Sequence, residues 1–491
     1  MTETEQPRPL RAIDALIFNV YYFSVNVQTL TLVPLLMPIL VERFLNADIK
    51  GSALGTLRLV TLMISLLVHT LAAQLSDRCT SKLGRRKPFM LLSLFLETLV
   101  LLGLGLTISY MKGSGTYAMV FTTITLAMVF SNLGLGPAQA IIPDLVPQEK
   151  HGRFAAVKSL FELPLPVIFV AFTIAKLISH NQFWGVIWIL IAVKVVSGLI
   201  TLLIPEKPIL RPTTSFDKDS ILRLVAMTLA FTGIILLLGL GARYALPIVK
   251  SMMTNSSHFK ILSAAFGIFA MAVAVVIGVA ISTRLSLGDE TQGRRRFTWW
   301  VINRLAFMVG ATNLVSFVLY FLQERFPQLA GEAAARPTAI LMTVVGLALL
   351  LAALLAGWLT DKWGPKPLLF ISGFLAFGAS VMVVLSDSLF VVYAGAAVIG
   401  IATGLFYSAN WALGTRIVPR DEAGKWLGIS NVAGAGAGAV GAYIGGPIGD
   451  NAGYAVLMLV YGVVFLLSTL ALFGINPQKQ DLVPENFTQS N

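Results

Sequence analysis

Glu97, Glu162 and Lys194 are ionisable side chains set well inside long apolar runs of this 491-residue chain. Such a group is costly to bury, so it is either paired or used. A carboxyl in low dielectric can take up and release a proton, which is chemistry that can drive a change of conformation. Glu97 lies about eight residues from one end of the run at 89–109, and Lys194 about ten from one end of the run at 183–204. At a rise of about 1.5 Å per residue these are comparable depths, and the spacing predicts a structural ion pair. Lys158 and Lys176 stand nearer the ends of their run at 154–179, where they can snorkel to opposite interfaces, and Arg58 and His69 also stand nearer run ends. Glu162 has no evident partner. It precedes Leu163-Pro164-Leu165-Pro166, where two prolines free backbone carbonyls that a cavity or a neighbour must satisfy. It is the candidate coupling residue, against the plainer reading of a neutral, hydrogen-bonded structural acid.

A second set offers hydrogen bonds in place of charge. Asn19, Asn26 and Gln28 share one apolar run, and Asn303, Arg304 and Asn313 share another that repeats it. Asn132 and Gln139, with Tyr407, Asn410 and Trp411, occupy corresponding positions in two further runs. Amides both donate and accept, which suits hydroxyl-rich ligands, and the Trp411 indole can stack on the apolar face of a sugar. Any one of these is more often an interhelical bond; as a cluster they form the candidate binding set. No Cys/His cluster suggests a metal and no strand-borne phosphate loop suggests a nucleotide, so the sequence implies no metal, no cofactor and no catalytic residue. Cys79 is the only cysteine, which excludes an intrachain disulfide. In GAGAGAVGAYIGGPIGD (434–450), Gly434 and Gly438, then Gly441 and Gly445, predict a face for close helix packing.

The elements that must position these residues are membrane spans. Hydrophobic residues are 56% of the chain and charged ones 12%, with a mean hydropathy of +0.80, far from soluble-domain composition. A spanning helix needs roughly 20 mostly apolar residues, and runs of that kind fall at 12–40, 53–75, 89–109, 117–138, 154–179, 183–204, 221–247, 259–283, 297–322, 338–359, 367–386, 390–413, 423–449 and 453–473. The expected fold is therefore all-α and polytopic, with 14 transmembrane helices. The net charge of +12 sits in alternating loops with no basic aromatic face, which argues against nucleic acid. The N-terminus, MTETEQPRPLR, lacks the basic-then-apolar pattern of a cleaved signal, so the first span is expected to act as the insertion signal.

Internal repetition sorts the spans. SDRCTSKLGRRKPF (76–89) recurs in shortened form as TDKWGPKP (360–367), and VPQEKHGR (146–153) matches VPRDEAGK (418–425). The expected organisation is a tail (1–11), a six-helix repeat (12–204), a linker rich in proline and charge (205–220), an inserted two-helix hairpin with a basic loop (221–296), a second six-helix repeat (297–473) and a tail (474–491). The basic loops all fall on one side of this arrangement, which predicts that side, and both termini, to be cytoplasmic at a plasma or inner membrane.

Ala73-Gln74-Leu75-Ser76-Asp77-Arg78, closed by Gly84, Arg85 and Arg86, and its second copy Gly357-Trp358-Leu359-Thr360-Asp361-Lys362 resemble the loop between helices 2 and 3 of the major facilitator superfamily. The resemblance implies that Asp77, Arg78, Arg85, Arg86, Asp361 and Lys362 form a gating motif; physically, such a carboxylate can pair with Arg or accept bonds from a helix N-terminus. The longer first copy, with Asn132-Leu133-Gly134-Leu135-Gly136-Pro137 and Pro205-Glu206-Lys207-Pro208, is similar to sucrose transporters and the related glycoside-cation symporters. This covers about 70–210 and is only superfamily-level over 297–473. Met128 stands where plant sucrose symporters carry an aspartate, so the proton carrier must lie elsewhere. The resemblance implies a monomeric secondary transporter working by alternating access on a small hydrophilic solute, a sugar or glycoside, with a proton or other cation as coupling partner. The central hairpin keeps a 14-helix drug or amphiphile exporter open as the alternative, and a non-transporting receptor of the same fold is a third.

Overall fold

The computed structural model describes residues 11–111, 113, 115–208, 218–287, 293–418 and 423–475. The expected tails lie almost wholly outside them, as do 209–217 of the linker and 288–292 of the basic loop. Among the described residues there is no strand. The long helical segments are α1 (Ile13–Phe44), α2 (Ala47–Asp77), α3 (Lys87–Tyr110), α4 (Thr116–Leu145), α5 (Gln148–Ser179), α6 (Phe183–Thr201), α7 (Ile221–Met252), α8 (Ser256–Leu287), α9 (Arg294–Arg325), α10 (Gly331–Trp363), α11 (Pro365–Leu385) and α12 (Leu389–Ile417), followed by α13 (Ala423–Ala452) and α14 (Tyr454–Gly474). Those other than α13 are each long and apolar enough to cross a membrane.

Of those thirteen, the most enclosed are α1 and α9, the first of each six-helix half. The remaining spans turn large apolar side chains outward, among them Phe95, Leu99, Phe172, Leu237, Leu354 and Phe390, which is how a helix faces lipid rather than water. Local breaks interrupt two spans, α1 and α5. A π-helical turn at Leu32–Leu36 surrounds Pro34 in α1, and a second lies at Val170–Ile174 in α5. In α5 the helix also breaks at Leu163 (φ −130°, ψ −68°), because Pro164 and Pro166 cannot donate the next backbone bonds.

The halves meet along α2 and α13, along α5 and α10, and where the second part of α1 meets α9. The hairpin α7–α8 packs on α13, with α8 also reaching α9 and α14, so it sits beside the second half. The glycine face of α13 differs from expectation. Gly438, Ala442 and Gly446 turn toward α2, where Gly446 meets the Gly51 backbone and Gly438 meets Leu62. Gly434 and Gly441 instead face Met308 and Asn313 of α9, and Gly445 faces Tyr461 of α14. An i, i+4 stripe marks one face only for residues in the same register, so the two expected pairs point at different neighbours.

Candidate functional site

Between the halves lies a cavity of about 310 Å³, lined by α1, α2 and α5 of the first half and by α9, α10, α11, α12 and α14 of the second. That is at the small end of the roughly 300–1,000 Å³ usual for small-molecule sites. Its walls are mainly apolar: Leu30, Val33, Leu163 and Val167 face Val315, Phe321, Leu341 and Val345. The threonines there are largely spent locally, since Thr29, Thr312 and Thr403 each donate to the carbonyl four residues earlier. Tyr407 also lines it.

One side chain in that wall breaks the apolar pattern. Arg58 is only 8% exposed, its Nε has no hydrogen-bond partner, and it takes part in no ion pair among the described residues. It lies on α2 against α13, where a Cβ on Gly438 would stand 3.6 Å from its Nη2. Sequence reading set Arg58 aside as a residue near a run end. The helix in fact starts at Lys50, placing Arg58 more than two turns in. The available signal was the lack of any acid three or four residues away on the same helix.

Toward the start of α2, about two turns beyond Arg58, a polar clasp joins the halves. Asp450, at the end of α13, accepts from the Gly51 N–H (2.7 Å), the Ser52 N–H (2.8 Å), the Ser52 hydroxyl (2.7 Å) and the Tyr454 hydroxyl (3.0 Å). A carboxylate thereby caps the first turn of α2 across the two halves, where the helix dipole favours negative charge. Nearby, Tyr320 donates to the Pro38 carbonyl (2.8 Å), Gln323 to Glu42 (2.8 Å), and Lys50 pairs with Glu42 (2.7 Å). On the opposite, basic-loop side, the first part of α5 packs chiefly on α1 of its own half, and no comparable clasp joins the halves among the described residues.

The expected site residues are distributed as follows. Glu97 and Lys194 meet as an ion pair with both side chains essentially inaccessible, and Glu97 also accepts from Ser93, which contacts Tyr21. Glu162 has a partner after all: Lys158 one turn earlier lies 3.4 Å away, and the Glu162 side chain is 40% exposed. The pair forms because residues four apart share one face of the helix His151–Glu162. Lys158, expected to snorkel, is thus held by Glu162 and lies over the Tyr22 ring at 4.6 Å.

Most of the amide set is engaged with backbone. Asn19 donates to the Ala15 and Phe154 carbonyls, Asn26 to Tyr22, Gln28 to Ala127 and Asn132 to Met128. Asn313 donates to Val309 and Ala437, while Asn303 donates to Ser468 and accepts from Asn410. Gln139 and Trp411 are exposed. Of the whole set only Tyr407 lines the cavity. Arg304 stands beside it electrostatically, with its guanidinium 5.8 Å from the Trp300 ring and its Nε unsatisfied.

The first gating loop forms a network within the first half. Arg86 pairs with Asp77 and with Asp144 (3.0 Å), Arg85 pairs with Asp144 (2.7 Å), and Arg86 donates to Ser76 (2.6 Å). The helix cap is supplied by a different acid, Glu206, which accepts from the backbone N–H groups of Arg85, Arg86 and Lys87. The second copy has no matching network: Asp361 is exposed and unpaired among the described residues, and Lys362 rests on the Trp358 ring at 5.2 Å. Arg78 is exposed at the helix end.

A model described as Major Facilitator Superfamily matches residues 300–489, and one described as MFS/sugar transport protein matches residues 44–220. A POT family transporter, solved with a thioalcohol-conjugated peptide, superposes with a TM-score of 0.65 over 94% of this chain and 95% of its own, at 14% identity. The chain has the major facilitator fold. The nucleoside transporter NupG gives 0.62 at 12% identity, covering 94% of this chain and 99% of its own. The human organic anion transporter MFSD10 (TETRAN) gives 0.52 at 17% identity, covering 95% and 100%. No curated protein matches in sequence. The chain is accordingly a multi-pass membrane protein whose likenesses are to transporters and not to enzymes; the finer likeness to sucrose symporters rests on the quoted loops alone.

Proposed function

We propose that this facilitator is a secondary transporter that carries a small solute by alternating access of its two halves. The reading is carried by one observation: a cavity shared by both halves, which bonds join toward the start of α2. Opening that end requires the Asp450 clasp to part, while the other end is held by packing within each half. On this reading the basic loops face the cytoplasm, both termini lie there, the chain works as a monomer in the plasma or inner membrane, and the structure is the state open toward the cytoplasm. The Asp77, Arg85, Arg86 and Asp144 network then braces the cytoplasmic end of the first half as a gate element.

A second, finer reading is proton-coupled movement of a sugar or glycoside, favoured by the sugar-transport model over 44–220 and by the loop at 76–89. The apolar walls suit a solute with an apolar body, such as a glycoside's aglycone, more than a bare disaccharide. Uptake into proteoliposomes, with and without an imposed proton gradient, tests both readings on a panel of disaccharides, aryl glycosides, neutral aryl amides and aryl carboxylates. Saturable, protein-dependent uptake of at least one class is expected. Binding without uptake or exchange would make the protein a receptor with this fold, and drive-independent uptake would remove proton coupling.

A further inference from the structure

We infer that the central cavity selects solutes joining one anionic group to an apolar body, with the Arg58 guanidinium receiving the anion. The inference rests on the transport reading and names its substrate class. Arginine stays charged in essentially any protein setting, and a buried charge without a partner is destabilising. Here the charge lies in a cavity wall, nine-tenths buried, with an unsatisfied Nε. No carboxylate offsets it, for the acids nearest in kind are occupied: Glu97 by Lys194, Glu162 by Lys158, Asp450 by the clasp. An incoming carboxylate or sulfonate supplies the missing partner, and a guanidinium can hold it through two parallel bonds. A neutral polyol cannot do this, and a bare inorganic anion would leave the apolar walls uncovered.

The rest of the lining agrees. The cavity threonines direct their hydroxyl hydrogens into their own helices, so few donors other than Arg58 and Tyr407 face a ligand. The second guanidinium without an acidic partner among the described residues, Arg304, interacts electrostatically with Tyr407, adding positive potential. Arg58 also lies at the seam of α2 and α13, so an anion bound there is sensed at the interface that must part during transport.

The test uses three probes of one shape, 4-phenylbutyrate, 4-phenylbutyramide and 4-phenylbutylamine, with sucrose as a fourth, in proteoliposome uptake and in thermal stabilisation of the purified protein. Wild-type protein should take up and be stabilised by the carboxylate at least tenfold more effectively than by the amide, and the amine should be excluded. Arg58→Gln should erase the preference between carboxylate and amide, and Arg58→Lys should retain part of it. If wild-type protein handles the amide or sucrose as well as the carboxylate, the anion assignment falls while transport stands. If no probe is taken up or stabilises the protein, the anion assignment falls, and uptake across the wider panel above decides whether transport stands. Should Arg58→Gln fail to fold, the wild-type comparison of carboxylate with amide decides alone.

Discussion

Replacing Asp450 with asparagine should loosen the clasp between the halves. The carboxylate accepts four hydrogen bonds, two of them from backbone N–H groups of the first turn of α2. Asparagine keeps one acceptor oxygen but presents an NH2 where a donor now points, and it loses the charge that the helix start favours. A charge at a partly buried helix end is worth up to about 2 kcal/mol, and a charge-assisted bond about 1.5–3 kcal/mol. Hydration of the released groups in the open state returns part of this, leaving a net bias of about 2 kcal/mol. At about 1.4 kcal/mol per tenfold, that shifts the closed-to-open ratio by about 30-fold. The assay places a single cysteine at Thr312, in the cavity, on a Cys79→Ser background, and follows labelling by an impermeant maleimide added from the clasp side. The initial rate should rise about 30-fold in Asp450→Asn, and about fivefold in Tyr454→Phe, which removes one neutral partner worth about 1 kcal/mol. Labelling within twofold of the parent, in protein with an unchanged melting temperature, would refute the clasp as the energetic lock.

Breaking the Glu97–Lys194 pair from one side, by Glu97→Gln or Lys194→Met, should cost about 3–5 kcal/mol and show as a marked fall in melting temperature; Glu97→Leu with Lys194→Met together should recover most of it. On the proton-coupled reading, Glu162→Gln should abolish accumulation against a gradient while solute exchange continues, because the amide mimics a protonated acid yet cannot release a proton. Full proton-driven accumulation in Glu162→Gln would remove the coupling assignment. Single cysteines at Gly113 and Asn255 should react only from outside and those at Lys82 and Lys150 only from the cytoplasm; reaction of 82 and 255 from one side would overturn the topology.

What the sequence determined by itself is the set of features that depend on short stretches of chain. Fourteen apolar runs and the repeated basic loops are local in origin, since each span satisfies its own backbone and needs only length and hydropathy to be seen. The depth match of Glu97 and Lys194 was legible for the same reason, as it follows from helical rise along two spans. Tertiary structure decided what depends on helix rotation and on contacts between distant segments. The amides proposed for a ligand turned mostly to backbone carbonyls within reach, whereas the Glu162–Lys158 pair, four residues apart on one helix, was local. Asp450 meets Gly51 and Ser52 some four hundred residues away in sequence, and nothing in either segment announces the other. Arg58 became the distinctive residue of the cavity only when the faces of α2 and α13 were brought together, because a charge is unpaired only in relation to everything packed around it.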